Sequence, residues 1–203
     1  MTVNLTDAVQ GLPALELAPG AVVHPSDLQG AAFLLVADGL VVLRSSIPGS
    51  ARRTITCHAG EGALVLPPEA DDSLVALTPA AIVPIGATDR DRLLESPVAA
   101  RLFVEALAET LRQKQAAVAS LSRLHHVDRV REKLLELARE HGRVGRDGIR
   151  LDFPLTHDLL GEMVGSARET VTRALDELQR EGFVVRRGRI YSVKLEPEQL
   201  TTS

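Results

Sequence analysis

The stretch Thr156-His-Asp-Leu-Leu-Gly-Glu-Met-Val-Gly-Ser-Ala-Arg-Glu-Thr-Val-Thr-Arg-Ala-Leu-Asp-Glu-Leu178 has the spacing of two short helices joined by a sharp turn. Gly161 is small enough to let the second helix approach the first, and Gly165 permits positive φ at the turn. Leu160, Val164, Val171, Leu175 and Leu178 supply the apolar faces that hold the two helices together at a large crossing angle. Ser166 is expected to cap the second helix, whose first turn then presents Arg168, Glu169 and Thr170 outward. Arg173 follows Glu169 one turn later on the same face.

That face carries a specific chemistry. An α-helix fits the major groove of B-DNA, where arginine can make two bonds to guanine O6 and N7 and glutamate can accept from cytosine N4. Arg168, Glu169 and Arg173 are therefore candidate base-contacting residues, each well-placed pair contributing about 1–3 kcal/mol of discrimination. The plainer reading, solvated charges on an amphipathic helix, does not account for the turn glycine, the cap and the segment that follows. Phe183 to Val193 reads as two strands turning at Arg187-Gly188, a wing. Arg186, Arg187 and Arg189 stand at or beside its tip, within reach of phosphates, with a merely solvated turn as the competing account.

Working outward, Val127 to Glu140 is a helix with Val130, Leu134, Leu135, Leu137 and Ala138 on one face, stopping near Gly142; Ile149 to Phe153 is a strand candidate. Upstream, Ser96 to His126 is rich in Ala, Leu, Glu, Gln and Arg, with Ser96-Pro97 as helix start. Val104, Leu107, Leu111, Lys114, Val118 and Leu121 follow steps of three and four, a heptad seam interrupted by one lysine. Such a seam can pack on its own domain. Its length and its place before a DNA reader point instead to a parallel two-stranded interface in a homodimer, with Val104, Leu107, Leu111, Val118 and Leu121 as the contact residues.

From Leu15 to about Ile85 the chain consists of short apolar runs: Ala21 to Val23, Phe33 to Val36, Leu40 to Leu43, Thr54 to Thr56, Ala63 to Leu66 and Leu74 to Leu77. Gly20, Gly30, Gly39, Gly49 and Gly60 punctuate them, the rhythm of an all-β roll or barrel. With 203 residues, 45% of them apolar, the chain can bury a core as one large or two small domains. Runs such as Phe33 to Ala37 and Ala80 to Ile85 are far short of the roughly 20 residues that span a bilayer. The Thr2-Val3-Asn4 start lacks the basic and apolar segments of a secretory signal, so a cytoplasmic protein is expected. A lone Cys57 excludes an internal disulfide and a multi-cysteine metal or iron-sulfur site. The net charge is −4, yet residues 127–196 hold 14 Lys/Arg against 13 Asp/Glu, while residues 1–126 hold 9 against 13. This is permissive for a protein that touches DNA with one face.

Val164-Gly-Ser-Ala-Arg-Glu-Thr-Val-Thr-Arg173 resembles the recognition-helix segment of the CRP/FNR family of bacterial transcription regulators, through Gly165, Arg168, Glu169, Thr170, Val171 and Arg173. The order of parts is similar over nearly the whole chain. The implied fold is α+β: a β-roll sensor-like domain over 1–95, a dimerisation helix over 96–126 and a winged helix-turn-helix over 127–203. The resemblance further implies base contacts from Arg168, Glu169 and Arg173 to a TGTGA-like half-site of an inverted repeat. Thr156, His157, Ser166 and Thr170 would face phosphates, and RNA polymerase would be a partner. Ala167 departs from the hydroxyl residue frequent at its position, which removes one backbone contact.

The sensor half matches less. Pro19-Gly20, Asp38-Gly39-Leu40 and Gly60-Glu61 resemble turns of the family's roll. Members that bind cyclic nucleotides then carry a Gly-Glu pair, a short helix, and an Arg followed by a small hydroxyl residue. Here the chain runs Ala63-Leu-Val-Leu-Pro-Pro-Glu-Ala-Asp-Asp-Ser-Leu74, with Asp71 and Asp72 where the phosphate's positive partner would stand. Two carboxylates there repel a phosphate. No cofactor, no metal and no catalysis are expected, and the chain is read as active without cyclic nucleotide. Two alternatives stand beside that reading. One is a roll gated by an apolar, haem or redox signal, with Cys57-His58 as its only candidate ligands. The other, of a different class, is a cupin-like metal-binding or enzymatic barrel using His24 and His58, which lack the clustered spacing such sites need.

Overall fold

The computed structural model describes residues 5–47, 49–50, 52–121, 125–188 and 190–194; the side chains of Ala117, Ser120 and Leu121 fall outside the description. Two compact units are present, Met1–Ala117 and Val118–Ser203.

The first unit contains α1 (Leu5–Ala8), β1 (Leu15–Leu17), β2 (Val22–Val23), a 3-10 turn at Pro25–Leu28, β3 (Ala31–Asp38), β4 (Val41–Ser46), β5 (Arg53–Ala59), β6 (Leu64–Val65), β7 (Ser73–Ala76), β8 (Ala80–Gly86), α2 (Ala87–Leu94) and most of α3 (Pro97–Leu121). Its strands form two four-stranded sheets, β1-β8-β3-β6 and β2-β7-β4-β5, with antiparallel pairing throughout. The period-two alternation of a strand decides how they pack. Leu34 and Val36 of β3 enter an apolar cluster that draws on both sheets through Val41, Cys57, Leu74 and Ile82. Leu35, one residue out of phase, faces the other way. There it joins Leu64, Val83 and Ile85 under a cover of Leu5, Leu93, Ala99 and Phe103 from the helices and Val9 from the turn after α1. Burial on both faces is why β3 reads as a continuous apolar run rather than an alternating one. The short α1 and α2 had no periodic signal strong enough to be expected.

α3 is fixed to this unit by Ala99, Leu102, Phe103 and Ala106. Phe33 and Phe103 meet edge to face, with ring centroids 4.9 Å apart. The hydroxyl of Thr110 donates to the Leu64 carbonyl at 2.7 Å. Val104, Leu111 and Val118, seven residues apart, are 61%, 57% and 69% exposed. Leu107 is partly buried against the unit's own cluster instead. At about 100° per residue its side chain falls between the covered face and the exposed one. The Leu121 side chain lies outside the described residues.

The second unit comprises α4 (His126–His141), β9 (Gly142–Gly145), β10 (Gly148–Leu151), α5 (His157–Val164), α6 (Arg168–Arg180), β11 (Val184–Arg187) and β12 (Ile190–Val193). One sheet runs β11-β12-β10-β9. The strand expected at 149–153 is therefore half of a hairpin whose other arm, β9, lacks the apolar run that announces a strand: Arg143 and Val144 are both exposed. The core gathers Val130, Leu134 and Leu137 of α4, Leu160 of α5, Val171, Leu175 and Leu178 of α6, and Leu151, Tyr191 and Val193 of the sheet.

Candidate nucleic-acid interface

α5 is capped by Thr156, whose backbone is extended and whose Oγ1 accepts from the Leu159 amide at 3.1 Å. Capping uses the oxygen and leaves the hydroxyl hydrogen to be donated outward from an exposed position. The helix closes on Gly165, at φ 64° and ψ 34°, a left-handed conformation that suits glycine. A Cβ on Gly161 would lie 2.7 Å from the Ser166 carbonyl oxygen, so the turn can fold this closely over α5 only if that residue is glycine.

The residue at the N-cap of α6 is Ala167, not Ser166 as expected, and no side chain caps this helix. Ser166 stands one residue too early. It is buried, and its Oγ lies 3.0 Å from His126 Nδ1 and 3.2 Å from Arg129 Nη2 of α4. Its hydroxyl thus holds the turn to α4 and does not face outward to a phosphate.

α6 is amphipathic. Val171, Ala174, Leu175 and Leu178 are buried, while Arg168, Glu169 and Arg173 are exposed and Thr170 is half-buried. Arg168 Nη1 lies 3.3 Å from Asp158 Oδ2 of α5. At the wing, Arg187 Nη2 lies 2.7 Å from Asp147 Oδ2, in the turn between β9 and β10. Both pairs are largely exposed, and such pairs contribute about 0–1 kcal/mol, so an incoming base or phosphate can displace the carboxylate. Arg186 donates through Nε to the Gly188 carbonyl at 2.8 Å and holds its guanidinium 5.6 Å from the Tyr191 ring centre. Arg189 lies outside the described residues.

His157 departs from the outward-facing role the resemblance implied. Its Nδ1 is 2.8 Å from Thr172 Oγ1 of α6 and its Nε2 is 3.0 Å from the Tyr191 hydroxyl of β12. Both ring nitrogens are engaged inside the unit. Burial, with the nearby Arg186 and Arg168 charges, holds its pKa below the usual histidine value, against the opposing pull of Asp176 and Asp158. Burial raises the Tyr191 pKa, which keeps the phenol protonated. Thr172 and Tyr191 were not singled out from sequence. The available signal was that the chain's one tyrosine sits at an inward strand position, where a buried hydroxyl needs a partner.

In the roll, Asp72 accepts a hydrogen bond from Ser45 Oγ at 2.9 Å and Asp71 is exposed. Cys57 is buried in the cluster between the sheets. His24 is exposed at the start of the 3-10 turn, whereas His58 is buried on β5.

Over 161 residues the chain is 31% identical to the cyclic AMP receptor protein of Thermus thermophilus, covering 76% of this chain and 71% of that one. The chain belongs to the CRP/FNR family of bacterial transcriptional regulators. Residues 128–201 match the model of the Crp-like helix-turn-helix domain. The global nitrogen regulator of Synechocystis is 34% identical over 113 residues, 55% of this chain and 49% of that protein; the chain thus spans about half the length of that relative. Among solved structures, a CooA mutant from Carboxydothermus hydrogenoformans superposes with a TM-score of 0.76 at 17% identity, covering 98% of this chain and 95% of that one, a likeness of fold. The family is one of DNA-binding regulators rather than enzymes, which removes the cupin-like alternative. Among the described residues no helix is long and apolar enough to cross a membrane.

Proposed function

We propose that the chain binds, as a homodimer, an inverted repeat with TGTGA-like half-sites and regulates transcription there in concert with RNA polymerase. The observation that carries this is the exposed trio Arg168, Glu169 and Arg173 on the first turns of α6, directly after the left-handed Gly165. In this reading those three meet base edges. Thr156, Thr170, Arg186 and Arg187, with Arg189 by its place in the sequence, meet phosphates. Ser166 and the His157 ring are left out of the phosphate set because their polar atoms are engaged within the unit.

The apolar seam supplies the second copy. Val104, Leu111 and Val118 recur every seven residues on one exposed line of α3, the period of a two-stranded coiled coil. Leu107 contributes only its outward edge, and the half-buried Lys114 weakens the pair while fixing its register.

The same proposal includes control without cyclic nucleotide, so that occupancy of the operator follows the amount of protein. Asp72, held by Ser45, and the neighbouring Asp71 put negative charge where a cyclic phosphate would need a positive partner. Burial of Cys57 within the apolar cluster speaks against a redox gate, since reactive thiols are accessible and electropositively placed.

Enrichment of bound duplexes from a random DNA pool tests the function directly. The expected product is an inverted repeat of G- and C-containing half-sites about one helical turn apart. Recovery of no shared sequence would overturn the reading.

A further inference from the structure

We propose that His157 and Tyr191 are positioning residues for sequence recognition, joined through Thr172 into one chain of hydrogen bonds by which the wing sets the seating of the recognition helix. This rests on the reading that α6 is the element that enters the groove.

One set of hydrogen directions satisfies every link of the chain at once. Thr172 Oγ1 is 2.9 Å from the Arg168 carbonyl oxygen, which can only accept, so the single hydroxyl hydrogen of Thr172 is spent there. Toward His157 the same oxygen is then an acceptor, and Nδ1 at 2.8 Å must carry the hydrogen. In a neutral imidazole Nε2 is then bare and must accept from the Tyr191 hydroxyl at 3.0 Å. One tautomer satisfies all three links with no group left over. Chains of this kind act as units, because reversing one member orphans the next.

The ends of the chain lie at the two DNA-facing elements. Tyr191 is fixed between strands, opposite Arg186 of β11 on one side and Leu151 of β10 on the other. The Arg186 guanidinium rests over its ring. At the other end the chain stops on the backbone of Arg168, the first residue of α6 and its leading base reader. A shift of the wing on the phosphates therefore reaches the residue that meets the base, through side chains that touch neither. His157 stands at the first position of α5, between the two.

Four charged groups surround the imidazole: Arg168 and Asp176 from α6, Asp158 from α5 and Arg186 from β11. Protonation would place a hydrogen on Nε2, so that the Tyr191 hydroxyl would have to turn its own hydrogen away and accept, which reverses the link at the centre of the chain. The lowered pKa places that reversal on the acid side of 6.5, the ordinary histidine value.

The test uses the full-length chain and two probes, the duplex it enriches from a random pool and a scrambled duplex of equal length. Tyr191→Phe and Thr172→Val each remove one link with little change of volume. Each is expected to weaken binding to the enriched duplex about tenfold and to the scrambled duplex less than about twofold. The double variant is expected to lose no more than either single one. Wild-type selectivity should hold from about pH 7.5 to pH 6.5 and narrow on further acidification, and that of Tyr191→Phe should stay flat. Equal losses on both duplexes, additive losses in the double variant, or no loss at all would overturn the inference. A wild-type chain with no DNA preference would instead break the functional reading on which it rests.

Discussion

The two units deal with polar chemistry in opposite ways. In the first, β3 is buried on both faces, Leu34 and Val36 between the sheets and Leu35 under the helices; only Ser73 and His58 interrupt the apolar interior among the described residues. In the second, α6 buries four residues along one side and turns Arg168, Glu169 and Arg173 to the other, with Arg168 paired to Asp158 and Arg187 of the wing to Asp147. The difference teaches where a family fold is free to change. The roll is maintained by apolar pattern, which any ligand chemistry at its rim can be added to or taken from. In the proposed reading the second unit cannot exchange the exposed charges at the start of α6 without changing what it reads.

That contrast is sharpened most by the largest effect expected. Leu111→Asp combined with Val118→Asp puts two carboxylates into the exposed line of α3 and leaves the face anchored by Phe103 untouched. Sedimentation should show a monomer, and affinity for a two-half-site duplex should fall about 10²–10⁴-fold as the second half-site ceases to be tethered. A dimer that survives would remove α3 from the interface.

Next in size is Arg168→Ala. Loss of a two-bond contact to guanine costs about 1–3 kcal/mol on the enriched duplex, with scrambled DNA almost unaffected. Equal weakening on both would turn Arg168 into a phosphate contact. Smaller, and of opposite sign, is Asp147→Asn. It frees Arg187 from its 2.7 Å partner and removes a negative charge beside the wing. Affinity for every sequence should rise a few-fold, since an exposed pair contributes about 0–1 kcal/mol, and the salt dependence should steepen. An unchanged affinity would mean that Arg187 does not reach DNA.

The helix-turn-helix was legible because its constraints are local. Gly165 has to adopt positive φ, Gly161 has to let the Ser166 carbonyl come close, and the apolar spacing of α6 has one solution. Most strands of the roll were legible from their short apolar runs; β8 was not among them, because Pro84 and Gly86 read as the close of the pattern although both lie in the strand. What was misplaced depended on contacts distant in sequence. Ser166 has the chemistry of a cap, but its hydroxyl is taken by His126 and Arg129, forty and thirty-seven residues upstream. His157 has the chemistry of a phosphate contact, yet its ring nitrogens are occupied by Thr172 and Tyr191. Leu107 fits the heptad by count and sits at its edge by angle, because the roll claims the neighbouring face of α3. No periodicity reports such competition for a side chain; only the fold does.

The smallest effect expected is none at all, and it bears on the other half of the contrast. A ligand that binds the folded chain stabilises it by RT ln(1 + [L]/Kd), about 2.7 kcal/mol at a hundred times Kd, which shifts the melting midpoint by several degrees in a chain of this size. Cyclic AMP carries its negative charge on the phosphate, and in the proposed reading it would meet Asp71, which is exposed, and Asp72, which accepts from the Ser45 hydroxyl. Ser45 cannot both donate to Asp72 and donate its single hydrogen to a phosphate oxygen. At millimolar cyclic AMP the melting midpoint and the operator affinity should therefore both stay where they are. A rise in both would show that the roll supplies a cation from elsewhere, and the two units would then share one ligand-gated chemistry instead of dividing structure from recognition.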